Sequence, residues 1–185
     1  MAFVLTDTFL PATLNAPPMT DDEFASFCAE HPDLFFEMTA GGELVVSAPT
    51  FSLTGMRNTE MLFQLEQWSS KDARGGVTGS SDGFVLPNGA RRSPDAAWTL
   101  KTRISQLSAK SLWGFWHLCP DYVIELKSDS DRMPVVRRKM NEWIANDVFR
   151  PNREPETFAG IESLKGEGPV EGFVLDLQPV WNPLL

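Results

Sequence analysis

The chain has 185 residues, of which 42% are hydrophobic and 22% charged; these values are typical of one folded globular domain and exclude extensive disorder. Its formal net charge of −9 opposes nonspecific binding to nucleic acid, yet residues 57–185 hold all 16 basic residues and only 17 of the 25 acidic ones. The two cysteines are isolated, and the first residues show neither a basic signal-peptide region nor a membrane-spanning apolar run. These features predict a cytoplasmic protein without a membrane segment.

The N-terminal part of the chain is predicted to contain an arm, a helix and a β-hairpin. Residues 1–18 are Pro-rich and without periodicity, so we expect an arm that packs on the body or on a partner chain, followed by a single domain over 19–185. The T-x-x-E sequence that begins at Thr20 has capping-box spacing and predicts a helix over 20–30. The runs LFFEM and ELVVSAP, joined by TAGG, then predict a hairpin with Glu37 in its first strand.

The middle of the chain is predicted to contain a long helix and a second hairpin. Apolar residues recur at helical spacing from Leu53 to about Ser70, and Gly75-Gly76 is expected to end this helix. Asn88-Gly89 lies between two β-like runs and is a strong hairpin signal. We expect the second strand of this hairpin to carry Ser93-Pro94-Asp95.

The stretch PDYVIELKSDSD combines a core-like strand with charged residues. The apolar run predicts a buried strand over 121–127, but Glu125 and Lys127 occur at its end, and strand alternation places both on one face. Burying either charge without a partner is costly. Each therefore needs the other, a neighbouring residue or a bound ion.

A helix is predicted after this strand. Ser130 or Asp131 can cap it, Pro134 suits its first turn, and Lys139 belongs to its basic flank. The remaining sequence is predicted to form a Pro/Gly/Glu-rich loop over 151–169 and a last strand within GFVLDLQPVW.

Asp95 and Glu125 have the chemistry of a magnesium site. Two carboxylates on neighbouring strands supply the hard oxygen ligands that Mg²⁺ prefers, and Lys127 beside them can orient or help to deprotonate an attacking water. Each residue also has a structural interpretation: a strand-end cap for Asp95, an ion pair for Glu125 with Lys127, and a solvated edge-strand acid for Glu37. The residues alone leave both interpretations open.

Several segments in order carry a resemblance to a known family. They are MTDDEFASFCAEHPDLFFEM…GELVV, GMRNTEMLFQLEQW, GFVLPNGARRSPDAAW, CPDYVIELKSDSD and KMNEWIAND. Together they resemble the Uma family of restriction endonucleases, within the PD-(D/E)XK nuclease superfamily. The resemblance covers residues 19–147 and resumes in VEGFVLDLQPVW.

The resemblance implies an α/β, restriction-endonuclease-like fold, with a mixed sheet flanked by helices, and a DNA-cleaving site that uses Mg²⁺ or Mn²⁺. Asp95 matches the P-D acid, Glu125 and Lys127 match the E-x-K pair, and Glu37 matches an early acid that serves as a further metal ligand. Lys139 matches a lysine of the K-M-x-E segment and is expected to make a supporting contact. The resemblance and the two strands of duplex DNA also imply a homodimer.

One departure from the family pattern follows residue 148. Relatives continue into a further strand and hairpin that this chain lacks, which predicts an exposed sheet edge unless the arm, the last strand or a second subunit covers it. The alternative to an endonuclease is therefore a non-catalytic, self-associating protein that retains the nuclease fold. A phosphodiesterase of small nucleotides is a third possibility, because no extended cationic groove can be read from the sequence.

Overall fold

The computed structural model describes residues 10–127, 131–148, 156 and 158–184. The helices in these ranges are α1 (Asp21–Glu30), α2 (Ser52–Asp72), α3 (Lys101–Ile104), α4 (Ala109–Leu112), α5 (Met133–Ala145) and α6 (Gln178–Trp181). The strands are β1 (Ala12–Asn15), β2 (Phe35–Met38), β3 (Glu43–Ser47), β4 (Gly75–Gly79), β5 (Phe84–Val85), β6 (Arg91–Arg92), β7 (Ala96–Leu100), β8 (Tyr122–Ile124), β9 (Ser163–Lys165) and β10 (Val174–Asp176). No helix within the described ranges is long and apolar enough to span a membrane.

The N-terminal elements form an antiparallel sheet with strand order β1-β3-β2-β6-β5. β1, which belongs to the predicted arm, pairs with β3, so this part of the arm lies on the body of the protein. The first predicted hairpin is confirmed as β2 and β3. The capping box of α1 is also confirmed, with the Glu23 N–H donating to the Thr20 hydroxyl and the Thr20 N–H to the Glu23 carboxylate. Phe24 on α1 is fully buried against this sheet.

The second predicted hairpin is confirmed around Asn88-Gly89, but its second strand is shorter than expected. β5 pairs with β6, and β6 ends at Arg92 instead of continuing through Ser93-Pro94-Asp95. Pro94 has no N–H for a sheet ladder, and the Ser93 N–H donates to the side chain of Glu37 at 2.8 Å. After this break the chain enters β7, which belongs to a different sheet.

The long helix α2 is confirmed, although the prediction of its end is wrong. It ends at Asp72, and Ala73 adopts a left-handed conformation (φ 61°) while its N–H donates to the Ser69 carbonyl. Gly75 instead lies in β4, where a Cβ atom would stand 2.0 Å from the Trp98 ring. Packing against Trp98, and not helix termination, therefore requires this glycine.

The central sheet has the order β4-β7-β8, and all its pairs are antiparallel. β8 ends at Ile124, so Glu125 and Lys127 follow the strand and do not lie within it. The strand ends early because the Leu126 N–H donates to the side chain of Asp95 and not to a ladder carbonyl. Among the described residues β8 pairs only with β7 and is an edge strand, as expected for a sheet shortened on this side.

α5 follows β8 and carries Pro134 in its first turn, as predicted. The prediction that Asp131 caps this helix is wrong: the N-cap is Arg132, and its side chain makes no capping hydrogen bond. Ser130, the other predicted cap, lies outside the described residues.

The C-terminal part contains more regular structure than predicted. The predicted loop over 151–169 includes β9, and the predicted last strand is limited to β10, which is followed by α6. β9 and β10 pair with each other as an antiparallel hairpin, which gives the loop segment a partner that sequence periodicity did not indicate. The predicted α/β architecture of sheets flanked by helices is thus confirmed.

Candidate active site

Strand register brings the two predicted metal ligands together. The last pair of the β7–β8 ladder is Ala96 with Ile124, so the next residues, Asp95 and Glu125, meet at the same end of the sheet. Because directly opposed residues of an antiparallel pair project to one face, the two carboxyl groups belong to a common site.

Asp95 is held by one backbone and one side-chain donor. The Leu126 N–H donates to its Oδ2 at 2.7 Å, and Nδ2 of Asn58, on α2, donates to its Oδ1 at 3.1 Å. Burial raises the pKa of Asp95 most strongly, and the negative charge of Asp131 adds to this, against the lowering effect of the hydrogen bonds and of Lys139. The carboxyl group therefore resists ionisation more than an exposed aspartate does.

Glu37 lies in a more cationic environment on β2. Its carboxylate accepts from the Ser93 N–H at 2.8 Å and pairs with Arg92 at 3.2 Å and Lys139 at 3.0 Å. Burial acts to raise the pKa of Glu37, but the charges of Lys139 and Arg92 and the hydrogen bond from Ser93 outweigh it and leave the pKa lowered. Glu37 is therefore a stable anion whose oxygens already have cationic partners, and its role as a metal ligand stays a prediction.

Glu125 is the acid of the cluster with the most strongly raised pKa. Its Oε1 accepts from the indole N–H of Trp143 at 2.8 Å, and its carboxylate lies 2.9 Å from Nζ of Lys139. Burial raises the pKa of Glu125 to about 7, assisted by the charges of Glu37 and Asp95 and opposed by Lys139. Near neutral pH the site thus contains a carboxyl group poised between its two protonation states.

Lys139 lies at the centre of the cluster, although the sequence indicated only a supporting contact. Its Nζ lies within 3.0 Å of both Glu37 and Glu125 and donates to the Ser93 carbonyl at 2.9 Å. Burial acts to lower the pKa of Lys139, but the two carboxylates outweigh it and raise the pKa above its ordinary value. The ammonium group therefore stays charged.

Lys127, the predicted E-x-K lysine, is exposed just beyond the end of β8, and its catalytic role stays a prediction. A lysine that contacts Glu125 comes from α5, where a signal existed in the sequence: Lys139 is three residues from Val136 and four from Trp143, inside the apolar stripe of an amphipathic helix.

Two further residues contact the acids of the cluster, and the sequence did not indicate either of them. Arg92 bridges Glu37 and Glu142, and Asn58 contacts Asp95. These partners come from strands and helices that are far apart in sequence, and no short-range spacing identifies them.

The charges and oxygens of the cluster fit a hard divalent cation. Among the described residues, four carboxyl groups gather around the cations Arg92 and Lys139, so acidic groups outnumber these two cations. Within the described residues no group of three or more His, Cys, Asp or Glu side chains is arranged to hold a metal ion. Asp95 and Glu125 offer carboxylate oxygens, the ligand type that Mg²⁺ prefers, and water would have to complete the coordination of such an ion.

Comparisons with known proteins identify the family and the fold of this chain. The Uma2 family profile, described as "Putative restriction endonuclease", matches residues 21–150. The fold is similar to the crystal structure of "a putative nuclease belonging to DUF820" from Anabaena variabilis, with a TM-score of 0.69, 16% sequence identity, and coverage of 91% of this chain and 100% of that one. None of the curated protein sequences matches the chain significantly. The structural likeness supports the restriction-endonuclease-like fold expected from the sequence.

Proposed function

Because the chain belongs to the Uma2 family, we propose that it is a metal-dependent nuclease whose site is built on Asp95, Glu125 and Lys139. The observation that carries the proposal is the position of Lys139 Nζ, 2.9 Å from Glu125 at the sheet end where Asp95 and Glu125 meet. This arrangement provides the two carboxylates and one lysine of the predicted nuclease site, with the lysine supplied by α5. We therefore assign the catalytic lysine to Lys139, which the sequence indicated only as a supporting residue.

Asp95 and Glu125 would hold a Mg²⁺ or Mn²⁺ ion, which when bound lowers the pKa of water and stabilises negative charge on a phosphate. The residues around them fix the geometry of both acids. Trp143 orients Glu125 through its indole N–H, and the Leu126 N–H and Asn58 orient Asp95. Lys139 keeps its proton and places a fixed positive charge where the attacked phosphate gains charge.

DNA is the proposed substrate, on the basis of the family and of exposed basic side chains near the site. Lys127, Arg132, Arg137 and Arg138 are exposed on the segment that follows β8 and on α5, the helix that carries Lys139. Such side chains can contact phosphates along a nucleic-acid backbone. Two copies of the chain, one for each strand, would cut a duplex, and the unpaired cysteines suit a reducing cytoplasm.

The first experiment is a calorimetric titration with Mn²⁺ and Mg²⁺ of the wild type and of Asp95→Asn. We expect binding in the wild type and its loss in the variant, since the amide removes a charged oxygen ligand. Absence of binding in folded wild-type protein would contradict the metal site and favour the non-catalytic, self-associating alternative.

Cleavage of plasmid DNA then tests the lysine. We expect Lys139→Gln to lose cleavage by about 100-fold or more, whereas loss of cleavage in Lys127→Gln with activity retained in Lys139→Gln would contradict the assignment. Competition by mononucleotides distinguishes duplex DNA from small nucleotides, and a steep decrease of duplex binding with salt is expected for a DNA-binding protein.

A further inference from the structure

Asn58 has a fixed orientation beside the candidate site. Its Nδ2 donates to Oδ1 of Asp95 at 3.1 Å. Because an ionised carboxylate only accepts hydrogen bonds, the amide nitrogen, and not the amide oxygen, is the atom that contacts Asp95. The hydrogen bond to Asp95 and the packing of α2 together therefore fix the position of the side-chain oxygen.

The amide oxygen of Asn58 is buried and has no hydrogen-bond partner among the described residues. Three other buried side-chain atoms share this property: Nε of Arg57 and the hydroxyl oxygens of Thr78 and Thr99. Asn58 alone of these described residues also has a hydrogen bond to one of the site carboxyl groups. Buried acceptors in native proteins are normally satisfied, so this one calls for a partner that the described residues do not supply.

We propose that Asn58 supplies a neutral oxygen to the divalent cation held by Asp95 and Glu125, either directly or through one of its waters. This inference rests on the proposed function. Amide oxygens are ordinary ligands of hard cations, and water-mediated contacts are usual for Mg²⁺. A neutral donor also suits a cluster that already has excess negative charge, because a third carboxylate would repel Asp95 and Glu125 in the metal-free protein.

The roles of the amide nitrogen and the amide oxygen of Asn58 can be tested separately. Asn58→Asp keeps the oxygen and replaces the donor to Asp95 with a second charged oxygen, whereas Asn58→Leu removes both polar atoms at similar volume. If Asn58 only positions Asp95, both variants lose the same donor, and Asn58→Asp regains affinity only as far as Thr59→Asp, which adds the same charge at the exposed next residue of α2, also raises it. If its oxygen serves the cation, Asn58→Asp binds Mn²⁺ at least as tightly as the wild type, and Asn58→Leu binds about 10- to 100-fold more weakly.

The measurement is calorimetric titration of the metal-free protein with Mn²⁺, with Asn141→Leu, an exposed asparagine on α5, as the matched control. Thermal unfolding verifies that each variant is folded, and Asn58→Ala replaces Asn58→Leu if the latter is not. Equal weakening in the aspartate and apolar variants, or unchanged binding in the apolar one, would overturn the inference while leaving the metal site intact. A wild type that does not bind Mn²⁺ would instead overturn the proposed function, and this inference with it.

Discussion

Lys139 balances the charges of the buried site, and removing it tests how much the protein depends on that balance. Its Nζ pairs with Glu37 and Glu125, whose side chains are 17% and 8% exposed. Lys139→Met would leave both carboxylates without this partner, so we expect a loss of about 3 kcal/mol in the free energy of unfolding. Urea unfolding near neutral pH measures it.

Arg138→Met is the control, because the Arg138 side chain is exposed on the same helix and its removal is expected to cost no more than about 0.5 kcal/mol. Equal stability of the two variants would mean that Glu37 and Glu125 do not need the ammonium group. It would also contradict the opposing effect of the Lys139 charge on the pKa of Glu125, which burial raises.

The choice between the two lysines shows what a short motif can predict. Lys127 is two residues from Glu125 and was predicted from that spacing and from the resemblance to the family. Lys139 reaches the same carboxylate from α5 only because the buried Trp143, one turn further along, holds that helix against the sheet end. Asp95 and Glu125 were predictable because each directly adjoins a strand, whereas contacts across different elements depend on packing.

The raised pKa of Glu125 predicts a pH dependence of stability in the metal-free protein. The folded state binds the Glu125 proton more tightly than the unfolded state does, because the pKa of Glu125 is about 7 in the folded protein against an ordinary value of 4.5. The stabilisation is therefore complete below about pH 4.5 and is lost as the pH rises through about 7. Since one pKa unit corresponds to about 1.4 kcal/mol, the complete loss is about 3–4 kcal/mol.

Unfolding by urea in EDTA, at about pH 5 and about pH 8, measures this dependence. Asp95 acts in the same direction and Glu37, with its lowered pKa, in the opposite one, so Glu125→Gln isolates the contribution of Glu125. The difference between the two pH values should shrink in this variant and persist in Glu30→Gln, where the side chain is exposed. An unchanged difference in Glu125→Gln would contradict the assignment.

At the scale of single elements, the contact between β4 and the Trp98 ring leaves the least room for an added side-chain atom. A Cβ atom at Gly75 would lie 2.0 Å from Trp98, which is fully buried and whose indole N–H donates to Ser69. Gly75→Ala must displace the ring, so we expect a loss of about 3 kcal/mol in chemical unfolding. Gly76→Ala is the matched control, because its Cβ would meet only Ile104 at 3.4 Å. A larger loss at Gly76 would show that glycine flexibility, and not ring packing, is the cause.

Elements with local signals were predicted well, and those fixed by distant partners were not. The capping box of α1 and the Asn88-Gly89 turn involve residues that are at most three positions apart, so the sequence contains the whole interaction. The end of β6 depends on Glu37, which takes the Ser93 N–H from more than fifty positions away. Gly75-Gly76 was interpreted as the end of α2 because glycines commonly follow helices. The sequence does not show that the Trp98 ring packs against Gly75.

For the molecule as a whole, the segment after the family match belongs to the same core as the segment inside it. The match ends at residue 150, yet Phe173 is buried among Trp68 and Tyr122, with ring centroids 5.7 and 6.2 Å apart from its own. Gln64 on α2 also exchanges two hydrogen bonds with the backbone of Asp176 in β10. The C-terminal hairpin is thus packed and hydrogen-bonded against the helix α2.

This packing predicts that the C-terminal hairpin and the matched region unfold together as one domain. Phe173→Ala removes a buried ring, so we expect a loss of about 3–5 kcal/mol, whereas Phe158→Ala, with a half-exposed ring, should lose far less. Hydrogen exchange should show α2 and β10 losing protection in parallel, since their amides would be exposed by the same opening. If Phe173→Ala deprotects β10 but leaves α2 fully protected, the hairpin is a separate layer, and the nuclease core is stable without it.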